Sequence, residues 1–169
     1  MFGSPYFFPI NPFQLLSLNI PQLMWSTWRQ MTIDLGPEEF GLSDTLAADL
    51  GAFVSENAHR YPTVFSSCSP RDIAKHHNSK YRMVEWAAVF HHFVPAFLYD
   101  IKAPDEVQTM VSEFIIASDA AMSMNYRHGF IKFVRSWERL YVNNDAGLSR
   151  ATISIHQLLH IVDQIRALE

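Results

Sequence analysis

The run NSKYRMVEWAAVFHHFVPAFLY, residues 78–99, is the longest apolar stretch in the chain, and its reading decides the fold. Apolar residues fall on nearly every side of a 3.6-residue repeat, which marks a helix buried all round. We therefore read a central helix over residues 81–99. Pro95 lies inside it. A proline there lacks an N–H and its ring meets the carbonyl of His91, so a kink is expected at that turn. Glu85 stands near the start of the helix beside Trp86. A carboxylate in so apolar a segment must be paired, protonated or placed at an opening. Arg82, three residues earlier, is the expected ion-pair partner. A functional acid is the competing reading.

Outward from this helix the pattern stays helical. Pro104 opens a helix at its first turn, with Asp105 and Glu106 at the positive end of the dipole. Val107, Met110, Val111, Phe114 and Ile115 form its inner stripe. A further helix carries Phe130, Phe133, Val134, Trp137, Leu140 and Tyr141 at spacings of three and four, and a last one carries Ile155, Leu158, Leu159, Val162 and Ile165. On the N-terminal side, residues 61–80 read as a Ser- and Pro-containing loop. Before it Ser43 is a good N-cap for a helix with Leu46, Leu50, Phe53 and Val54 on its inner side. Residues 11–31 can hold another helix, with Pro12 in the first turn and Pro21 expected to break or kink it. Trp25 and Trp28 would share a face of it. No run alternates with period two. The expectation is an all-α bundle of five or six helices around a buried, proline-kinked central helix. Residues 1–40 read as a poorly defined aromatic- and Pro-rich segment, and residues 41–169 as the helical domain.

The length of 169 residues fits a single domain, and 49% hydrophobic with 14% aromatic residues suits a sizeable core. A formal charge of −4 argues against a basic nucleic-acid surface over the whole chain, while leaving room for a local patch. Cys68 is the single cysteine; an internal disulfide is excluded, which suits a reducing compartment. An intracellular location is expected, nuclear or cytoplasmic left open. No apolar run reaches a membrane span without a charge or a proline, so a soluble chain with no membrane partner is expected.

Several residues are candidates for chemistry, each with a plainer alternative. His156 and His160 lie four apart with Asp163 on the same side, a set able to ligate zinc or iron, or simply to flank the core. His91 and His92 are adjacent, about 100° apart on a helix, and poorly placed to chelate one metal. Lys75, His76, His77 and Lys80 make a small basic loop, solvated or in contact with phosphate. Arg127, Lys132, Arg135 and Arg139 cluster on one helix and could meet nucleic acid, or form a solvated face. There is no phosphate loop, paired-Cys motif, Gly-x-Ser-x-Gly or dinucleotide fingerprint, so no cofactor is expected.

Pro70-Arg71, then Lys80 to Glu85-Trp86, then Pro95, form an ordered set. Glu138-Arg139-Leu140-Tyr141 and a His156 to His160 helix running into Ile161-Val162-Asp163 extend it. Over residues 69–168 this order resembles the helical region that follows the catalytic core in CACTA-like transposases and their fungal and animal relatives. The resemblance implies a nuclease of ribonuclease H-like fold in which three acids hold two metal ions. It places Glu85 as a candidate third acid in a full-length context. The upstream acids here, Asp34, Asp44 and Asp49, lie on no strand-like run, and a ribonuclease H-like core needs a sheet. Cleavage by this chain alone is therefore not expected. Three functions follow as expectations. One is a non-catalytic helical domain, a truncated transposase-derived fragment, either decayed or co-opted. Another is a helical module that binds a protein partner, or itself, through exposed aromatic surface around Trp25 and Trp28. The third is a small metal protein using His156, His160 and Asp163. DNA is a partner only in a full-length context.

Overall fold

In the computed structural model, which describes residues 11–30, 40–62, 69–122, 129–142, 155, 157 and 158, the first helix begins where the sequence signals it. The Asn11 side chain accepts from the Gln14 N–H at 3.2 Å, and Pro12 occupies the first helical position, where a missing N–H costs nothing. Helix α1 (Pro12–Gln14) runs into a π-helical turn (Leu15–Asn19) and then α2 (Ile20–Gln30). At Pro21, where a break or a kink is expected, the chain continues as helix without a break. The wide turn directly ahead of Ile20-Pro21 absorbs the lost N–H and the ring's clash with the preceding turn.

The central helix solves the same problem in the same way. It comprises α5 (Met83–Ala88), a π-helical turn (Val89–Phe93) and α6 (Val94–Asp100). Pro95 is again the second residue after the π turn, so the disturbance takes the form of a widened turn.

Between these runs lies α3 (Asp44–Asn57), capped as expected: the Ser43 hydroxyl oxygen accepts from the Leu46 N–H at 3.1 Å. A 3-10 turn (Ala58–Arg60) follows. The segment expected to be loop contains α4 (Ile73–His76), one turn N-capped by Asp72, which accepts from the Lys75 N–H at 3.2 Å. Four residues are too few to show a period in sequence. Helix α7 (Asp105–Met122) follows Pro104, and α8 (Gly129–Trp137) continues into a π turn (Glu138–Val142). Of the expected last helix, Ile155, Gln157 and Leu158 are described, all helical, with Ile155 and Leu158 buried.

Every regular element among the described residues is helical, and the protein is an all-α bundle. The chain divides into two compact units, residues 17–108 in one, and residues 1–16 with 109–169 in the other. In the first, an aromatic chain joins α2 to the central helix. Trp28 stacks on Phe90 at 5.7 Å and 19°, Phe90 lies 6.0 Å from Trp86, and Trp86 meets Tyr81 edge to face at 5.2 Å. Such ring pairs add about 0.5–1.5 kcal/mol each beyond the area they bury. In the second unit Phe114, Phe133, Trp137 and Tyr141 form a comparable series, with centroids 4.7–6.1 Å apart. No helix among the described residues is long and apolar enough to cross a membrane.

Candidate functional site

In the first unit, the described segment that leads into the central helix carries a dense set of polar contacts. After α4, the Ser79 N–H donates to the His76 carbonyl at 2.8 Å and closes a turn. Lys80 follows in the left-handed region at φ 55°, which reverses the chain. Arg82 is extended, and α5 begins after it. This route brings the Glu85 carboxylate back over its own helix start, and Arg71, fourteen residues earlier, down beside it.

Four donors fill that carboxylate. Arg71 Nε donates to Oε1 at 2.7 Å and the Arg71 backbone N–H to the same oxygen at 3.2 Å. Arg71 Nη2 donates to Oε2 at 2.9 Å, and the Arg82 backbone N–H to Oε2 at 2.8 Å. The ion-pair partner of Glu85 is thus Arg71. The pairing expected with the Arg82 side chain is replaced by a bond from the Arg82 backbone, the return half of a capping box. The forked guanidinium takes the two oxygens together, a geometry that a residue three positions back on the same turn is poorly placed to offer.

Arg71 does more than pair. Its Nη2 also donates to the Lys80 carbonyl at 2.9 Å, and its own carbonyl accepts from the Tyr81 hydroxyl at 2.8 Å. Its guanidinium carbon lies 5.5 Å from the Tyr81 ring centre. Burial pulls the Glu85 pKa upward, but the bonds from the Arg71 side chain and the two backbone N–H groups, with the Arg71 charge, hold it below the usual value. Tyr81 is shifted the other way: burial first, then the Glu85 charge, raises its phenol well above the usual range. The indole N–H of Trp86, next to Glu85, has no hydrogen-bond partner among the described residues.

Beside the pair is a cleft of about 680 Å³ lined by Ser69, Arg71, Ser79, Lys80, Arg82 and Glu85. Pro70-Arg71 and Lys80 to Glu85, separate in sequence, meet here. What sequence reading missed is Arg71 as the partner, because a contact across fourteen residues leaves no helical period. Glu85 as a carboxylate near the start of an apolar helix was the one legible signal.

The other candidates are scattered. His156, His160, Asp163, Arg127 and Cys68 lie outside the described residues, as does Asp34. Lys132, Arg135 and Arg139 are exposed on α8 and the π turn after it. Asp44 pairs with Arg29, whose Nη1 also donates to the Leu42 carbonyl at 2.9 Å, and Asp49 is exposed on α3. Lys75 pairs with Asp72 at 2.9 Å. His77 Nδ1 lies 3.0 Å from the Ile73 carbonyl oxygen, which makes it the protonated nitrogen, and its ring is 5.3 Å from Trp25. His91 is half-buried and His92 exposed, their ring centres 6.4 Å apart. His92 helps line a smaller cleft of about 290 Å³ with Tyr61 and Phe93. Among the described residues no three His, Cys, Asp or Glu side chains are grouped to hold a metal ion. Trp25 and Trp28, expected to offer an exposed aromatic face, are 4% and 0% exposed; they are core, held against His77 and Phe90.

Compared with protein-family models, curated proteins and solved structures, the chain matches none.

Proposed function

We propose that this chain is a non-catalytic helical domain resembling the helical region of CACTA-like transposases, in which Glu85 is a structural latch. The observation that carries this reading is the filled carboxylate: four donors occupy the oxygens of Glu85. A general base or a metal ligand needs a free lone pair facing its target. A group so occupied, with its pKa held low, serves to tie the Arg71 segment to the head of the central helix. Support for the resemblance comes from the meeting of two of its motifs, Pro70-Arg71 and Lys80 to Glu85-Trp86, through the Arg71–Glu85 pair. The reading as a partner-binding module through Trp25 and Trp28 loses its surface, since both are buried.

The test is a plasmid-cleavage assay of the purified chain with magnesium or manganese, run beside Glu85→Gln. Both proteins are expected to give the same background. A wild-type cleavage activity that disappears in a Glu85→Gln protein still folded by circular dichroism would overturn the proposal.

A further inference from the structure

Among the described residues, the lining of the cleft beside the latch has a charge opposite to that of the chain. These residues are three cations, Arg71, Lys80 and Arg82, one carboxylate, Glu85, and the serines Ser69 and Ser79. The whole chain carries a formal −4. Glu85, 2% exposed, and Arg71 neutralise each other as a bidentate pair, so the net charge of the described lining is that of Lys80 and Arg82. Lys80 is arranged differently. Its side chain is exposed, while its carbonyl is held by Arg71 Nη2 at 2.9 Å and its backbone is locked at φ 55°. The held backbone fixes the point at the cleft from which the exposed Lys80 side chain leaves.

We propose that this cleft binds a small phosphorylated molecule through its phosphate groups. Lys80 and Arg82 supply charge and Ser69 a hydroxyl donor, while the Ser79 hydroxyl, which donates to the His76 carbonyl at 3.1 Å, lines the wall. Ammonium, guanidinium and hydroxyl groups converging on one hollow are the chemistry of phosphate recognition. The volume, about 680 Å³, lies within the roughly 300–1,000 Å³ of small-molecule clefts, which favours a compact ligand over a polymer. The inference is independent of the nuclease question, because it uses none of the Glu85 lone pairs.

The experiment is calorimetric titration of the full chain with inorganic pyrophosphate at low ionic strength, where charge contacts are least screened. Saturable one-to-one binding is expected. Lys80→Gln should weaken it about tenfold, the loss of one charge-assisted bond, without moving the melting temperature of the unliganded protein. Arg82→Gln, which leaves the backbone N–H to Glu85 intact, is the second variant and should weaken binding similarly. Lys132→Gln, on α8, should leave it unchanged. No binding by the wild type, or equal binding by wild type, Lys80→Gln and Arg82→Gln, would overturn the proposal. A single-stranded oligonucleotide that binds through Lys80 where pyrophosphate does not would overturn it as well.

Discussion

Glu85 keeps its charge inside the protein because four donors reach it. Burial opposes ionisation there, and the bonds from Arg71 and Arg82 outweigh it, so the folded pKa is below the ordinary value. A lowered folded pKa means that the ionised group stabilises the fold above the unfolded value, about 4.3 for Glu, and that this contribution is lost as pH falls through the folded one. Glu85→Gln places an amide against arginine donors it cannot satisfy. It is expected to be roughly 2–3 kcal/mol less stable than wild type near neutral pH. That gap should narrow as pH falls below about 4. Urea unfolding of both proteins at neutral and acid pH reads it, and a gap that does not change with pH would refute it. Asp72, whose carboxyl is also held low by Lys75 against its burial, titrates in both proteins and cancels. The acid itself was legible in sequence, as a carboxylate in an apolar helix; its partner was not, since pairing across a loop depends on how the chain returns.

At the scale of elements, α3 and α4 meet at Gly51. A Cβ built on Gly51 would lie 2.1 Å from Asp72 Oδ1 and 3.0 Å from the Ala74 Cβ. Asp72 cannot simply step aside, because it caps α4 and pairs with Lys75. In an unhindered helix interior Gly→Ala stabilises by about 0.5–1 kcal/mol. Here the sign should reverse, with Gly51→Ala costing roughly 1–3 kcal/mol through overpacking and loss of the cap. Denaturant midpoints for Gly51→Ala, beside Ala52→Gly at the exposed neighbouring position, check this. A Gly51→Ala protein more stable than wild type would show that the helices separate freely. Two element ends were readable from local chemistry: Ser43 caps α3, and Asp105 opens α7 after Pro104. The prolines were readable as disturbances, but the π turns that accommodate Pro21 and Pro95 were not. A widened turn is chosen by packing on both sides of it.

For the molecule as a whole, each compact unit carries its own aromatic series. Residues 17–108 made alone are therefore expected to unfold cooperatively, with a near-ultraviolet dichroism signal from Trp25, Trp28 and Trp86. A gradual melt without that signal would mean that the series needs the rest of the chain. The all-α class and the buried central helix were determined by sequence alone, because a 3.6-residue apolar repeat and the absence of alternation admit little else. Tertiary structure decided what the polar residues do. It buried Trp25 and Trp28 where a surface was expected, gave Glu85 to Arg71 rather than to the Arg82 side chain, and gathered Lys80, Arg82 and two serines around one cleft. The physical reason is range: helical periodicity is set by neighbours three and four residues apart, whereas a carboxylate's partners are set by where a loop folds back.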